Sequence, residues 1–165
     1  MWTIIKFNKN NLELLKKDFR EKIGSDVRIY YPRLLVHKNK KNKLISMEFN
    51  LLGDYLFCFH KKFQNPNTIG ALKFTKGLKY FLSGFNESQE EIKNFIEKCK
   101  ESENEKGYLT QNFFQLCKNS NYKFTTGPFA EKIFKIIDLQ KNKINILLGN
   151  IKTTINKKEF LFNPA

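Results

Sequence analysis

YKFTTGPFAE, residues 122–131, reads as a strand that runs into a tight reversal. Tyr122 and Phe124 flank Lys123, the two-residue alternation of a half-buried strand, and we carry that strand to 126. Gly127 is free to take a positive φ, and Pro128 fixes the φ that follows, so the chain turns here. Phe129 then sets an apolar anchor beside the turn. Further short apolar runs lie at 132–138, 143–148, 151–155 and 159–162. Five short strands within roughly fifty residues predict a small closed barrel over 114–165.

Upstream, ESENEKGYLTQN at 101–112 is polar and acidic, the composition of a tether, and a linker is expected over 101–113. Residues 1–100 alternate strand and helix signals. WTIIKF at the start is aromatic and β-branched, hence a strand. Asn10, with Glu13 three positions on, forms the pattern of a capping box. Leu12, Leu15, Phe19 and Ile23 then recur at helical spacing up to a Gly24 stop, with Lys16, Lys17 and Arg20 on the other face. DVRIYYPRLLV at 26–36 is a strand that must bend or lie at an edge where Pro32 removes an N–H. HKNKKNK at 37–43 has no apolar residue and reads as an exposed hairpin tip, with strands at 44–50 and 54–60 beyond it. Asn65-Pro66 opens a short helix. LKYFL at 78–82 is another strand, and SQEE at 88–91 caps a helix with the stripe Ile92, Phe95, Ile96 and Cys99.

The net charge is +14 and points toward a polyanion partner. Its distribution is uneven: residues 1–100 hold 20 basic and 10 acidic side chains, residues 101–165 hold 10 and 6. The first part is therefore the expected polyanion binder. Three cysteines at wide spacing make neither a disulfide framework nor a zinc site. The chain lacks a Gly-rich phosphate loop and a nucleophile elbow, so no enzyme and no cofactor or metal is expected. His37, in the basic loop, and His60, at a strand end, have no evident carboxylate partner. With no apolar run of membrane-spanning length and no signal peptide, the expectation is a cytoplasmic monomer without membrane contact.

TTGPFAE at 125–131 resembles the KOW motif, with Glu131 where that pattern usually has a second Gly. The Met-Trp start, YYPRLL, the basic hairpin and GDYLFCF at 53–59 resemble the NusG N-terminal domain. FTKGLKYFLSG at 74–84 resembles that family's Thr-Arg-Gly-Val-x-x-Phe-Val segment. The chain as a whole thus resembles the NusG/RfaH family of transcription elongation factors. The resemblance implies an α+β N-terminal domain over 1–100, its antiparallel sheet flanked by helices, followed by an all-β SH3-like KOW barrel over 114–165.

It also implies partners. In that family an aromatic patch binds RNA polymerase, and the matching positions are Tyr55 and Phe57, with Trp2 and Phe81 beside them. The family touches the non-template DNA strand, at positions matching Thr75 and Lys76, with Lys73, Lys16, Lys17 and Arg20 nearby and Phe74 placed to stack on a base. The KOW turn, Gly127-Pro128, presents Phe129, Ile133 and Phe134 to Rho or to a small ribosomal subunit protein. The resemblance extends to RfaH, whose C-terminal domain switches between helices and barrel. Ile144, Leu148, Ile151 and Ile155 also fit a helical spacing. The rival readings are a ribosome- or RNA-associated KOW protein and a standalone single-strand binder.

Overall fold

The computed structural model describes residues 1–165. In chain order the elements are β1 (Trp2–Phe7), α1 (Leu12–Ile23), β2 (Arg28–Tyr30), β3 (Arg33–Lys40), β4 (Lys43–Asn50), β5 (Tyr55–Phe59), α2 (Pro66–Leu72), β6 (Leu78–Phe81), α3 (Gln89–Glu101), β7 (Asn121–Phe124), β8 (Ile133–Leu139), β9 (Lys143–Leu148), β10 (Ile151–Asn156) and β11 (Phe162–Pro164). They fall into two compact units. One comprises Met1–Pro32 with Asn50–Glu97, the other Arg33–Phe49 with Lys98–Ala165. No helix is long and apolar enough to cross a membrane.

The first unit is built on an antiparallel sheet of order β2-β5-β1-β6. Register sorts its side chains onto two faces, because successive residues of a strand point opposite ways. Ile5 lies opposite Leu56 and Phe81, and these share a core with Leu15, Phe19 and Ile23 of α1 and with Phe63 and Leu72. Ile4 lies opposite Phe57 on the other face, where Ile92 and Ile96 of α3 cover them. The Gln89 side chain fastens the start of α3 to β1, accepting from the Trp2 N–H at 2.9 Å and donating to the Trp2 carbonyl at 2.8 Å.

Local signals behave as their chemistry dictates. Asn65 caps α2 by accepting from the Asn67 N–H, with Pro66 at the first helical position. Pro32 ends β2, and β3 starts one residue later in a different sheet. The expected capping box at Asn10 and Glu13 is not formed. Asn8 captures the Asn10 N–H first and starts a short 3₁₀ turn, so α1 begins at Leu12 and Glu13 pairs with Lys16 at 2.7 Å. The run 37–43, expected as an exposed hairpin tip, is that tip, with strand reaching to Lys40 and resuming at Lys43. The reversal needs only Lys41 and Asn42, both with positive φ, the twist a two-residue hairpin demands.

His60 has a carboxylate partner that sequence separation concealed. Its Nδ1 accepts from the Lys62 N–H, which leaves the proton on Nε2 to be donated to Asp26 Oδ1 at 3.0 Å. That hydrogen bond, ahead of any charge effect, holds the Asp26 carboxyl below its ordinary value of 3.8. A depressed carboxylate stabilises the fold fully above the unfolded value and loses that contribution as pH falls through the folded one. Asp26→Asn is therefore expected to lower the melting temperature at neutral pH, and the gap from the unmodified chain should close below pH 3.8. Melts followed by circular dichroism across the acid range check this.

The second unit holds an antiparallel five-stranded sheet of order β10-β9-β8-β7-β11 and the two-stranded β3–β4 hairpin. The alternation in β8 buries Phe134 and Ile136 and exposes Ile133 and Lys135. Phe124, Phe134 and Phe162 meet in the core with ring centroids 4.3–6.1 Å apart, joined by Tyr122, Ile144 and Ile146. Residues 144–155, which also fit a helical spacing, are two strands and a turn here. Within 101–112, the Asn104 side chain accepts from the N–H groups of Lys106 and Tyr108, and the Thr110 N–H donates to Ser102 O.

Candidate functional site

Three surface features hold the candidate residues. The first is the end of the sheet that α3 leaves open. Lys6 on β1 lies opposite Tyr55 on β5 and Tyr80 on β6, so the three side chains rise together on one face. The two phenol oxygens are 3.0 Å apart, and the Lys6 Nζ sits 5.3 and 5.7 Å from the two ring centroids. Tyr55 first, then Tyr80, raises the Lys6 ammonium above its ordinary value, and the hydrogen bond shared with Tyr80 raises the Tyr55 phenol. The site is a cation held beside two phenol rings. Beside it, Asp54 pairs with Lys9 at 3.3 Å and Lys79 at 3.7 Å.

Of the residues expected in an aromatic patch, only some meet here. Phe57 is buried beneath α3, 3% exposed, against Tyr30 and Phe95. Phe81 is on the opposite face, packed on Phe63. Trp2 is half-buried, edge-on to Phe59, with the Arg28 guanidinium 4.1 Å from the Phe59 ring. Tyr80, which sequence reasoning did not single out, is the aromatic side chain that stands beside Tyr55. Simple alternation does not find it: Leu78 and Phe81 both pack on the core while Lys79 and Tyr80 are exposed, across a register shift between Lys6 and Phe7.

The second feature is the turn before β6. Gly77 takes φ +88°, and a Cβ there would meet the Asn11 backbone oxygen at 2.9 Å, so the turn lies tight against the start of α1. Thr75 is buried, and its hydroxyl accepts from Lys22 Nζ at 3.1 Å. Phe74, in contrast, is 92% exposed between the exposed Lys73 and Lys76. On α1, Lys16 is occupied by Glu13 and the Tyr31 ring, Lys17 lies 3.8 Å from Glu21, and Arg20 is exposed.

The third feature is the reversal after β7. Gly127 has φ +78°, as the sequence requires, and the Phe160 ring lies 2.5 Å from where a Cβ would stand. Phe129 is 42% exposed with its ring near Phe124 and Phe160, and Ile133 is 57% exposed, whereas Phe134 is core. His37 is part of this turn: the Gly127 N–H donates to His37 Nδ1 at 2.9 Å, and the His37 N–H donates to the Thr125 carbonyl at 2.5 Å. Gly127→Ala is expected to destabilise the second unit by about 1–3 kcal/mol, from the positive φ and the displaced ring. A denaturant midpoint unchanged from the parent chain would contradict this.

No group of three or more His, Cys, Asp or Glu side chains is arranged to hold a metal ion. Cys58 is buried, which pushes its thiol well above the ordinary value and leaves it inert.

No protein-family model matches this sequence, and no curated protein matches it significantly. Among solved structures, a chain of the MjSpt4:Spt5 complex is similar to it at 15% identity, over 100% of this chain and 98% of that one, with a TM-score of 0.33. A structure titled for domain interaction in Thermotoga maritima NusG is similar at 13% identity, over 94% of this chain and 91% of that one, with a TM-score of 0.31.

Proposed function

We propose that this chain is a transcription elongation factor of the NusG type, which binds RNA polymerase through the Lys6–Tyr55–Tyr80 cluster. The observation that carries the reading is that this cluster, centred on Tyr55 of the GDYLFCF strand, is half-exposed and held by its own contacts without serving the core. Half-exposed aromatics fixed by one another and by a cation resemble the rigid anchors that dominate protein interfaces. Lys73, Phe74 and Lys76 supply the contact with the non-template strand, the ring stacking on an unpaired base and the ammonium groups neutralising phosphates. Phe129 and Ile133 recruit a second factor, either Rho or a small ribosomal subunit protein. The N-terminal part through residue 100 and the barrel from 114 serve these two tasks, as a cytoplasmic monomer that binds and performs no chemical step.

The test is transcription on a defined template with the polymerase of the source organism, scoring pause lifetime and termination with and without the protein. Failure to bind polymerase at low ionic strength overturns the reading, and tight single-strand binding without polymerase would favour a standalone binder instead. Phe74→Ala is expected to weaken capture of the non-template strand by about 1–3 kcal/mol, fivefold to more than a hundredfold, without altering the melting temperature. Lys76→Ala should lower the slope of log affinity against log salt by about 0.7. Crosslinking of a base-substituted non-template strand across a salt series reads both.

A further inference from the structure

The β3–β4 hairpin carries an apolar face that the fold leaves uncovered. Strands of equal length flank the two-residue turn at Lys41 and Asn42, so Leu34 meets Phe49, Val36 meets Met47 and Lys38 meets Ile45 across the hairpin. These six share one face. Ile45, Met47 and Phe49 are each 41–42% exposed, unusual for three large side chains of one strand. At its base this face forms one wall of a cavity of about 420 Å³, whose other wall includes Lys123, Phe124 and Asn163 of the barrel.

The cavity is held open by rigid fastenings. His37 is hydrogen-bonded to Thr125 and Gly127. Nearer the base, the Arg33 guanidinium lies over the Tyr108 ring at 4.9 Å and 3.6 Å from Glu48, whose carboxylate also accepts from the Tyr108 hydroxyl. Glu48 is thereby turned away from the apolar face. What remains around that face is mostly cationic: Lys38, Lys40 and Lys43 toward the tip and Lys123 on the far wall, against the single carboxylate of Glu131.

We infer that this groove binds an extended acidic segment of a partner protein, its apolar residues seated on Val36, Met47 and Phe49 and its carboxylates facing the lysines. β4 has no strand on its outer edge, and an extended peptide can add along such an edge with alternate side chains on the apolar face. A nucleic acid fits less well. Phe124 is buried and closed to stacking, Leu34 and Val36 are aliphatic, and the one arginine of the hairpin is already engaged by Glu48 and Tyr108. The groove shares no residue with the Lys6–Tyr55–Tyr80 cluster, so either reading can fail alone.

The experiment titrates the isotope-labelled full chain with a short synthetic peptide alternating leucine and glutamate, and with a matched peptide carrying lysine in place of glutamate. The acidic peptide is expected to shift the amides of Val36, Lys38, Met47 and Lys123, and the basic one to leave them in place. Binding should weaken with salt, about tenfold in Met47→Asp, and severalfold in Lys38→Glu, an exposed position where folding is not at risk. Equal shifts with both peptides, no shift with either, or shifts at these amides from a short DNA duplex and not from the peptide would overturn the assignment.

Discussion

Replacing Tyr55 and Tyr80 together with alanine is expected to weaken binding to RNA polymerase by about 2 kcal/mol or more, roughly thirtyfold. Each ring is a rigid, amphipathic anchor that loses little entropy on docking, because the hydroxyl pair and the Lys6 cation already hold it in place. The fold should tolerate the change. Tyr80 is 45% exposed, and neither phenol belongs to a core cluster. The single variants need not add, since removing one ring also frees Lys6 from its clasp. Tyr80→Phe separates ring from hydroxyl and should retain most of the affinity. Equilibrium binding to a fluorescently labelled elongation complex, with circular dichroism as the folding control, supplies the measurement. Unchanged affinity in the folded double variant would remove the cluster from the interface.

Phe57→Ala is expected to act on the other side of the same strand's division of labour. It should destabilise the first unit by about 3–5 kcal/mol, with any loss of polymerase binding following from unfolding. The ring is nearly inaccessible, stacked on Tyr30 at 6.4 Å and tilted against Phe95 at 5.7 Å, and covered by Ile92 and Ile96. Truncation leaves a cavity under α3 that the sheet cannot collapse into. Against a typical total of about 5–15 kcal/mol, such a loss is severe. Hydrogen exchange should quicken at β1, β5 and the start of α3 first, because those elements share the contact. A Phe57→Ala protein with parental stability and no polymerase binding would show that the ring faces a partner rather than the helix.

These two residues show how far the sequence could be read. Alternation correctly places Tyr55 and Phe57 on one face, since a strand repeats every two residues. It cannot say that α3 stops short of Tyr55 and covers Phe57, because that depends on where a helix thirty residues later comes to rest. The same limit applies to Phe81: nearness in sequence to the exposed Tyr80 hides its place on the opposite face. Elements with strong local chemistry were legible. Pro32, Asn65-Pro66 and Gly127-Pro128 each impose a backbone angle that no tertiary contact overrides. The start of α1 was misplaced because two asparagines compete for the same donors within three residues. His37 and His60 looked bland because their partners lie 90 and 34 residues away, beyond the reach of any local pattern.

The His37 fastening also sets a schedule for synthesis. A nascent chain finishes the hairpin long before the glycine that receives it has left the ribosome. With 90 residues between donor and acceptor, and translation at about 5–20 residues per second, the wait is roughly 5–18 s. Through that interval Ile45, Met47 and Phe49 stand on a two-stranded ribbon too small to be stable alone. The lysines gathered at its tip would then guard the emerging polypeptide against sticking to its neighbours.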